Sequence, residues 1–257
     1  MIRIAVMGLG EAGARYARGL AEAGAEVTGF DPFVDVAGSG IRQCARLDEC
    51  VEGADVVLSL VGARASVDAA RDAAPRMDAG ALLADLNTAS PETKRHVASV
   101  AAASGVAVAD VAVLAPVPRA GHRTPLLASG EAAAVFAERM RPFGVPVDVV
   151  AGGIGDAARL KLLRAMFMKG VAALVLEGLE AARATGAEAW LRGQIASELG
   201  PDGEAVVQRL VTGTYTHAER REREMRDAIG LLDQWGTPAD MTRATHAWLR
   251  RIVDGRG

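Results

Sequence analysis

Cysteine is nearly absent from this 257-residue chain: Cys44 and Cys50 are the whole complement. Two thiols exclude a disulfide-stapled scaffold and lack the companions of a zinc-finger ligand set. Histidine is scarce as well, with four scattered residues and no HExxH pair or similar spacing, so no metal is expected. An excess of one charge is also missing: 29 Lys plus Arg against 32 Asp plus Glu give a formal net charge of −3. Such a balance supplies no field for gripping a polyanion, and no nucleic-acid partner is expected. The most apolar stretch, Leu160 to Leu176, carries Lys161, Arg164 and Lys169. A membrane span needs roughly 20 predominantly apolar residues, so no membrane association is expected. The apolar start, Ile2 to Met7, meets glycines too soon for a signal peptide. Together these features predict a soluble, cytoplasmic protein.

Lysine is the other scarcity. Only Lys94, Lys161 and Lys169 occur, and the remaining 26 basic residues are arginines. A GC-rich coding bias accounts for the arginine excess. It does not account for two of the three lysines falling in one apolar segment.

What is present is regular alternation. Short β-branched runs at Ile2–Met7, Glu26–Phe30, Asp55–Leu60, Ala81–Leu86, Val106–Val113 and Val145–Val150 predict strands. Ala-rich stretches near 11–23, 64–74, 91–104 and 131–140 predict the helices between them. This spacing implies right-handed crossovers and a mostly parallel, doubly wound α/β sheet. After Gly155 no strand is expected, and helices are predicted over 157–185, 188–199, 203–235 and 238–253. The expected organisation is a Rossmann domain over 1–153 and an all-α substrate and dimerisation domain over 154–257. The first long helix is apolar almost all round, which predicts burial, in part against a second subunit of a homodimer.

Gly8-Leu9-Gly10-Glu11-Ala12-Gly13 directly follows the first strand and opens a helix. The first glycine permits a tight turn, the second lets a pyrophosphate approach the backbone, and the third lets helix and strand pack closely. The helix amino terminus then presents its partial positive charge to the phosphates. Asp31 ends the second strand, where an acid is expected to hold an adenosine ribose. A carboxylate there accepts from ribose hydroxyls and repels a 2′-phosphate, which favours NAD(H) over NADP(H); Arg42 folding back would reverse this preference.

Three further runs join the glycine motif. They are Asp85-Leu86-Asn87-Thr88-Ala89-Ser90-Pro91, the segment Asp110 to Pro118, and Ile154-Gly155-Asp156-Ala157-Ala158-Arg159-Leu160-Lys161. With them the chain resembles the β-hydroxyacid dehydrogenases, relatives of 6-phosphogluconate dehydrogenase. The resemblance implies that Asn87 lies near the nicotinamide, that Val61 joins the cofactor-binding set, and that Lys161 is the catalytic lysine. Departures are equally clear. Arg164 and Ala165 stand where the family places asparagine, Leu114-Ala115-Pro116 replaces its Ser-Gly-Gly, and Met168 replaces the acid of 6-phosphogluconate dehydrogenase. Phosphogluconate is therefore not the expected substrate. Gly121-His122-Arg123-Thr124-Pro125-Leu126 resembles a run of a small bacterial branch with its own C-terminal helical domain.

The chemistry stands without the resemblance. Hydride delivery to a carbonyl needs a proton donor within reach, and the reverse reaction needs a base. Lysine serves either role when its surroundings lower its pKa, whereas arginine does not release its proton. Helical spacing puts Arg164 on the Lys161 face and Lys169 at its margin, as candidates for an anionic substrate group. His122 and Arg123 are further substrate candidates. His217, Arg220, Arg221 and Glu224 share one helical stripe, either a solvated charge face or an anion pocket. The expected activity is NAD(P)-dependent hydride transfer to or from a small hydroxy or carbonyl compound, with Lys161 as general acid or base. Imine reduction on the same plan and a non-catalytic dinucleotide sensor are the alternatives.

Overall fold

The computed structural model describes residues 2–36 and 41–255. The chain divides into two compact units, Met1–Lys161 and Leu162–Gly257.

In the first unit eight strands form one sheet: β1 (Arg3–Met7), β2 (Glu26–Phe30), β3 (Arg42–Gln43), β4 (Val56–Ser59), β5 (Leu82–Asp85), β6 (Ala107–Val113), β7 (Leu126–Ser129) and β8 (Val147–Val149). Their order is β3-β2-β1-β4-β5-β6-β7-β8, and every pairing is parallel except β6 with β7. Helices α1 (Glu11–Glu22), α2 (Leu47–Val51), α3 (Ser66–Ala73), α4 (Pro91–Ala102) and α5 (Ala133–Met140) cover it. Alternation along a strand decides which core each residue enters. Ile4 and Val6 pack with Leu58 and Phe136 in one apolar core, while Ala5 and Met7 pack with Val57 and Leu83 in the other. A sheet covered on both faces reads as continuous apolar runs, as β4 and β5 do. The chain reverses its direction of winding between β1 and β4, creating a switch point at the carboxyl edge of the sheet.

Sequence patterning does not reveal β3, α2 or β7. Strand β3 is two polar residues on the edge, and β7 contains no β-branched residue, so neither carries a strand signal.

The second unit is helical. Helix α6 (Asp156–Ala184) starts in the first unit and runs on into the second, followed by α7 (Glu188–Glu198), α8 (Gly203–Thr216), α9 (Ala218–Gln234) and α10 (Asp240–Val253). Ala172, Val175 and Leu179 of α6 pack with Val207 and Leu210 of α8, and Met225 and Ala228 of α9 pack with Leu249 of α10. The single helix expected over 203–235 is two helices meeting at His217. Thr214 and Thr216 donate back to the Leu210 and Thr212 carbonyls at 2.5 and 2.8 Å, a bonding pattern that bends and weakens a helix end. Burial all round α6 is also not what one chain provides: Leu160, Leu163, Phe167 and Leu174 are exposed. Among the described residues no helix is long and apolar enough to cross a membrane.

Candidate functional site

Three glycines shape the turn after β1, each for its own reason. Gly8 has φ +88°, and a Cβ there would lie 2.6 Å from the Leu60 carbonyl oxygen. A Cβ on Gly13 would overlap the Gly8 carbonyl oxygen, so α1 packs on the loop only because residue 13 has no side chain. Gly10, the N-cap of α1, is different: a Cβ there would meet nothing within 4 Å, and no side chain caps the helix. The amino end of α1 therefore presents first-turn N–H groups to open space at the switch point, with Glu11 and Ala12 opening the helix and Val61 beside Gly8. That opening fits a dinucleotide pyrophosphate.

Asp31 is tied to the same loop. Its Oδ2 accepts from the Leu9 amide at 2.7 Å, and its Oδ1 accepts from Phe33 and Val34 amides at 2.9 and 3.1 Å. The carboxylate thus stabilises the turn and the glycine loop together, and Oδ2 retains a lone pair for a ribose hydroxyl. Arg42 lines a cleft with Arg3, Glu26 and Glu49, residues toward the opposite end of the sheet from Asp31.

At the ends of β4 and β5, Asn87 is held on both sides of its amide. Its Oδ1 accepts from the Gly62 amide at 2.7 Å, and its Nδ2 donates to Ser59 Oγ at 3.0 Å and to Asp85 Oδ1 at 2.6 Å. Thr88, the next residue, is exposed, and Lys161 Nζ donates to its Oγ1 at 2.9 Å. Residues 73 positions apart are therefore in direct contact, beside Asn87, which is expected near the nicotinamide.

A buried charge cluster underlies this contact, and sequence reasoning did not identify it. Lys94 of α4 is 2% exposed and stands between Asp85 (1%) and Asp110 (0%). Its Nζ donates to the Asp85 carbonyl at 2.6 Å and lies 3.2 Å from Asp85 Oδ2 and 3.3 Å from Asp110 Oδ1. Asp110 Oδ2 in turn accepts from the Gly155 and Ala158 amides at 3.0 and 3.1 Å, capping α6. Ser129 Oγ accepts from the Ala157 amide at 2.9 Å and donates to Asp110 Oδ2 at 3.3 Å. The available signal was lysine itself, in a chain that otherwise uses arginine.

Two candidates are engaged elsewhere in the first unit. His122 packs against Gly19, near the carboxyl end of α1, leaving no room for a Cβ there, and its Nε2 is 3.2 Å from the Phe143 carbonyl oxygen. Arg123 is exposed, beside Gly144. Neither is brought to the Lys161–Thr88 contact.

In the helical unit, Lys169 and Arg220 both pair with Glu224, the latter at 3.2 Å, and Arg221 Nη1 donates to Thr214 Oγ1 at 2.5 Å. Burial pushes Lys169 below the ordinary lysine range, with Glu224 opposing the shift and Arg221 and Arg220 adding to it. Lys169 and Arg220 thus share one acid, with Arg221 close enough to add to the positive field at Lys169. His217 lies between α8 and α9 in an open groove with Tyr215, Arg220 and Arg223. Arg164 is exposed on α6, one turn after Lys161. Among the described residues no group of three potential metal ligands occurs.

Known families match both parts of the chain. The model of the NAD binding domain of 6-phosphogluconate dehydrogenase matches residues 3–143, and a domain of unknown function, DUF1932, matches residues 182–252. The 3-hydroxyisobutyrate dehydrogenase of Pseudomonas aeruginosa is 34% identical over 150 residues, covering 55% of this chain and 50% of that protein. Among solved structures, a conserved hypothetical protein from Sinorhizobium meliloti shares 31% identity with a TM-score of 0.80, covering 97% of this chain and 88% of its own. The 3-hydroxyisobutyrate dehydrogenase of Mycobacterium tuberculosis, solved with L-serine, superposes with a TM-score of 0.84 at 19% identity, covering 99% of this chain and 94% of its own.

Proposed function

The chain belongs to the family of the NAD binding domain of 6-phosphogluconate dehydrogenase, and from that premise we propose that it is an NAD-dependent oxidoreductase acting on a small anionic hydroxy or carbonyl compound. The observation that carries this reading is the Lys161–Thr88 hydrogen bond, one residue from Asn87 at the carboxyl edge of the sheet. A bound nicotinamide supplies or accepts the hydride. Lys161 is the proton donor to the substrate oxygen in reduction and the acceptor in oxidation. Thr88 orients its ammonium, and Asn87, fixed through both ends of its amide, shapes the cofactor end of the site. Lys169 and Arg220, with Arg221, are proposed to hold an anionic group, and Arg164 to add to the positive field near Lys161. Two buried free thiols are consistent with a reducing, cytoplasmic setting.

The test is a panel of 3-hydroxy acids and 2-ketoacids against cyclic imines, read at the nicotinamide absorbance. Turnover on the acids supports this reading; turnover on imines alone would replace it with C=N reduction, and none on either with a dinucleotide sensor. Lys169→Met is expected to raise KM for the productive acid by about tenfold with little change in kcat, as for loss of an exposed or partly buried ionic contact.

Cofactor preference rests on Asp31. Its charge beside the ribose position and the placement of Arg42 support NADH binding at least about tenfold tighter than NADPH, about 1.4 kcal/mol. Fluorescence titration of both cofactors measures the ratio, and equal affinities would remove the argument.

A homodimer is proposed on the exposed apolar stripe of α6, with Trp190 exposed on α7. Sedimentation at micromolar concentration is expected to give twice the 26.6 kDa chain mass. Phe167→Asp is expected to return it to the monomer.

A further inference from the structure

The Lys94 cluster does more than neutralise charge, because its two carboxylates act on two different parts of the site. Asp85 Oδ1 accepts from both the amide and the Nδ2 of Asn87, at 3.0 and 2.6 Å. It therefore sets the turn that carries Asn87 and Thr88. Asp110 Oδ2 holds the amides of Gly155 and Ala158, and so sets the start of the helix that carries Lys161. The opposite oxygens, Asp85 Oδ2 and Asp110 Oδ1, are buried and have no hydrogen-bond partner among the described residues; both face Lys94 Nζ.

One ammonium thus stands where the two halves of the Thr88–Lys161 contact are anchored. An apolar replacement of such a cluster is often no less stable than the charges, so stability alone gives weak reason for it. The geometry also explains lysine. The Nζ is a compact charge reaching three acceptors on two strands, whereas the planar fork of arginine is larger and matches one carboxylate side-on.

We infer that Lys94 is a positioning residue: through Asp85 and Asp110 its buried ammonium fixes the turn bearing Asn87 and Thr88 against the start of the helix bearing Lys161. Without it two buried carboxylates lie uncompensated. The Asn87 turn and the first turn of α6 then loosen together, although residues 85–90 and 155–158 lie far apart along the chain. The inference rests on the functional reading above only where it concerns turnover.

The experiment compares wild type, Lys94→Met and Lys94→Arg by amide hydrogen exchange and NADH titration, each after circular dichroism confirms folding. Lys94→Met is expected to raise exchange in two separated segments, 85–90 and 153–160, with β1, β2 and α1 unchanged. NADH affinity is expected to fall about tenfold. Where a substrate is in hand, kcat falls at least 30-fold while KM moves less than threefold, a split that simple loss of folded protein does not produce. Lys94→Arg gives the same pattern in weaker form, and decides the matter if Lys94→Met does not fold. Adding Asp85→Asn to Lys94→Met restores the net charge of the cluster and is expected to recover part of the protection at 153–160. Exchange raised only within α4, or lost NADH affinity without loosening at 153–160, overturns the inference. Failure of wild type to turn over any substrate would defeat the functional reading alone, because the exchange comparison needs neither substrate nor cofactor.

Discussion

Lys161→Ala is expected to lower kcat by roughly 10²- to 10⁴-fold, the usual contribution of a positioned general acid or base, and to leave NADH affinity within about threefold of wild type. The separation follows from where the residue stands. Its Nζ contacts Thr88, whereas the groups shaping the dinucleotide opening are the glycine loop, the start of α1 and Asp31. Lys161→Arg sharpens the test. Arginine keeps the positive charge and a donor for Thr88 but does not release its proton at working pH, so its kcat should remain near that of the alanine variant. If Lys161→Arg retained most of the activity, the side chain would be acting by charge alone and the proton-transfer role would be lost.

The second large effect separates two glycines three residues apart. At Gly13 a Cβ would overlap the Gly8 carbonyl oxygen, and backbone cannot rotate away as a side chain can. Gly13→Ala must push α1 off β1, at or above the 1–3 kcal/mol typical of an overpacked core. For a chain of this size that is a fall in Tm of roughly 5–10 °C, with cofactor binding lost as well. At Gly10 the backbone has φ −61°, and a Cβ would meet nothing within 4 Å. Gly10→Ala should therefore leave Tm unchanged and weaken NADH by about ten- to a hundredfold, because the methyl stands where the pyrophosphate approaches. Calorimetry of the two variants, with and without NADH, measures both. Equal loss of Tm in the two would mean that the loop is a purely structural turn.

The fold was legible where strands were buried on both faces. β1, β4, β5 and β6 are apolar runs flanked by helices, and each was readable as such. Strand β7 and the break at His217 were not, because a short Leu-Leu-Ala-Ser strand has no β-branched residue and the threonine-weakened helix end has no glycine or proline at the break itself. Within the candidate site, the glycine motif is legible from its spacing, and Lys161 is singled out by the family resemblance. The contact that unites Lys161 with Thr88 was not, since it depends on how α6 is seated by Asp110 and Ser129. Lys94 is the instructive omission. The rarity of lysine pointed to Lys161, and the same rarity applied equally to Lys94; a hydrophilic helix start concealed its burial. His122 is a second case. Its sequence neighbourhood gives no sign that it packs on Gly19 of α1.

The most direct test of the account is thermal unfolding of the purified protein with no addition, with NADH and with NADPH. A ligand at 100 times its Kd contributes about 2.7 kcal/mol, which for a chain of this length is a rise of roughly 5–10 °C. The predicted result is a rise of that size with NADH and a clearly smaller one with NADPH at the same concentration. No rise with either cofactor at millimolar concentration would contradict the account, leaving the glycine loop as a structural turn and Lys161 without a hydride to accompany.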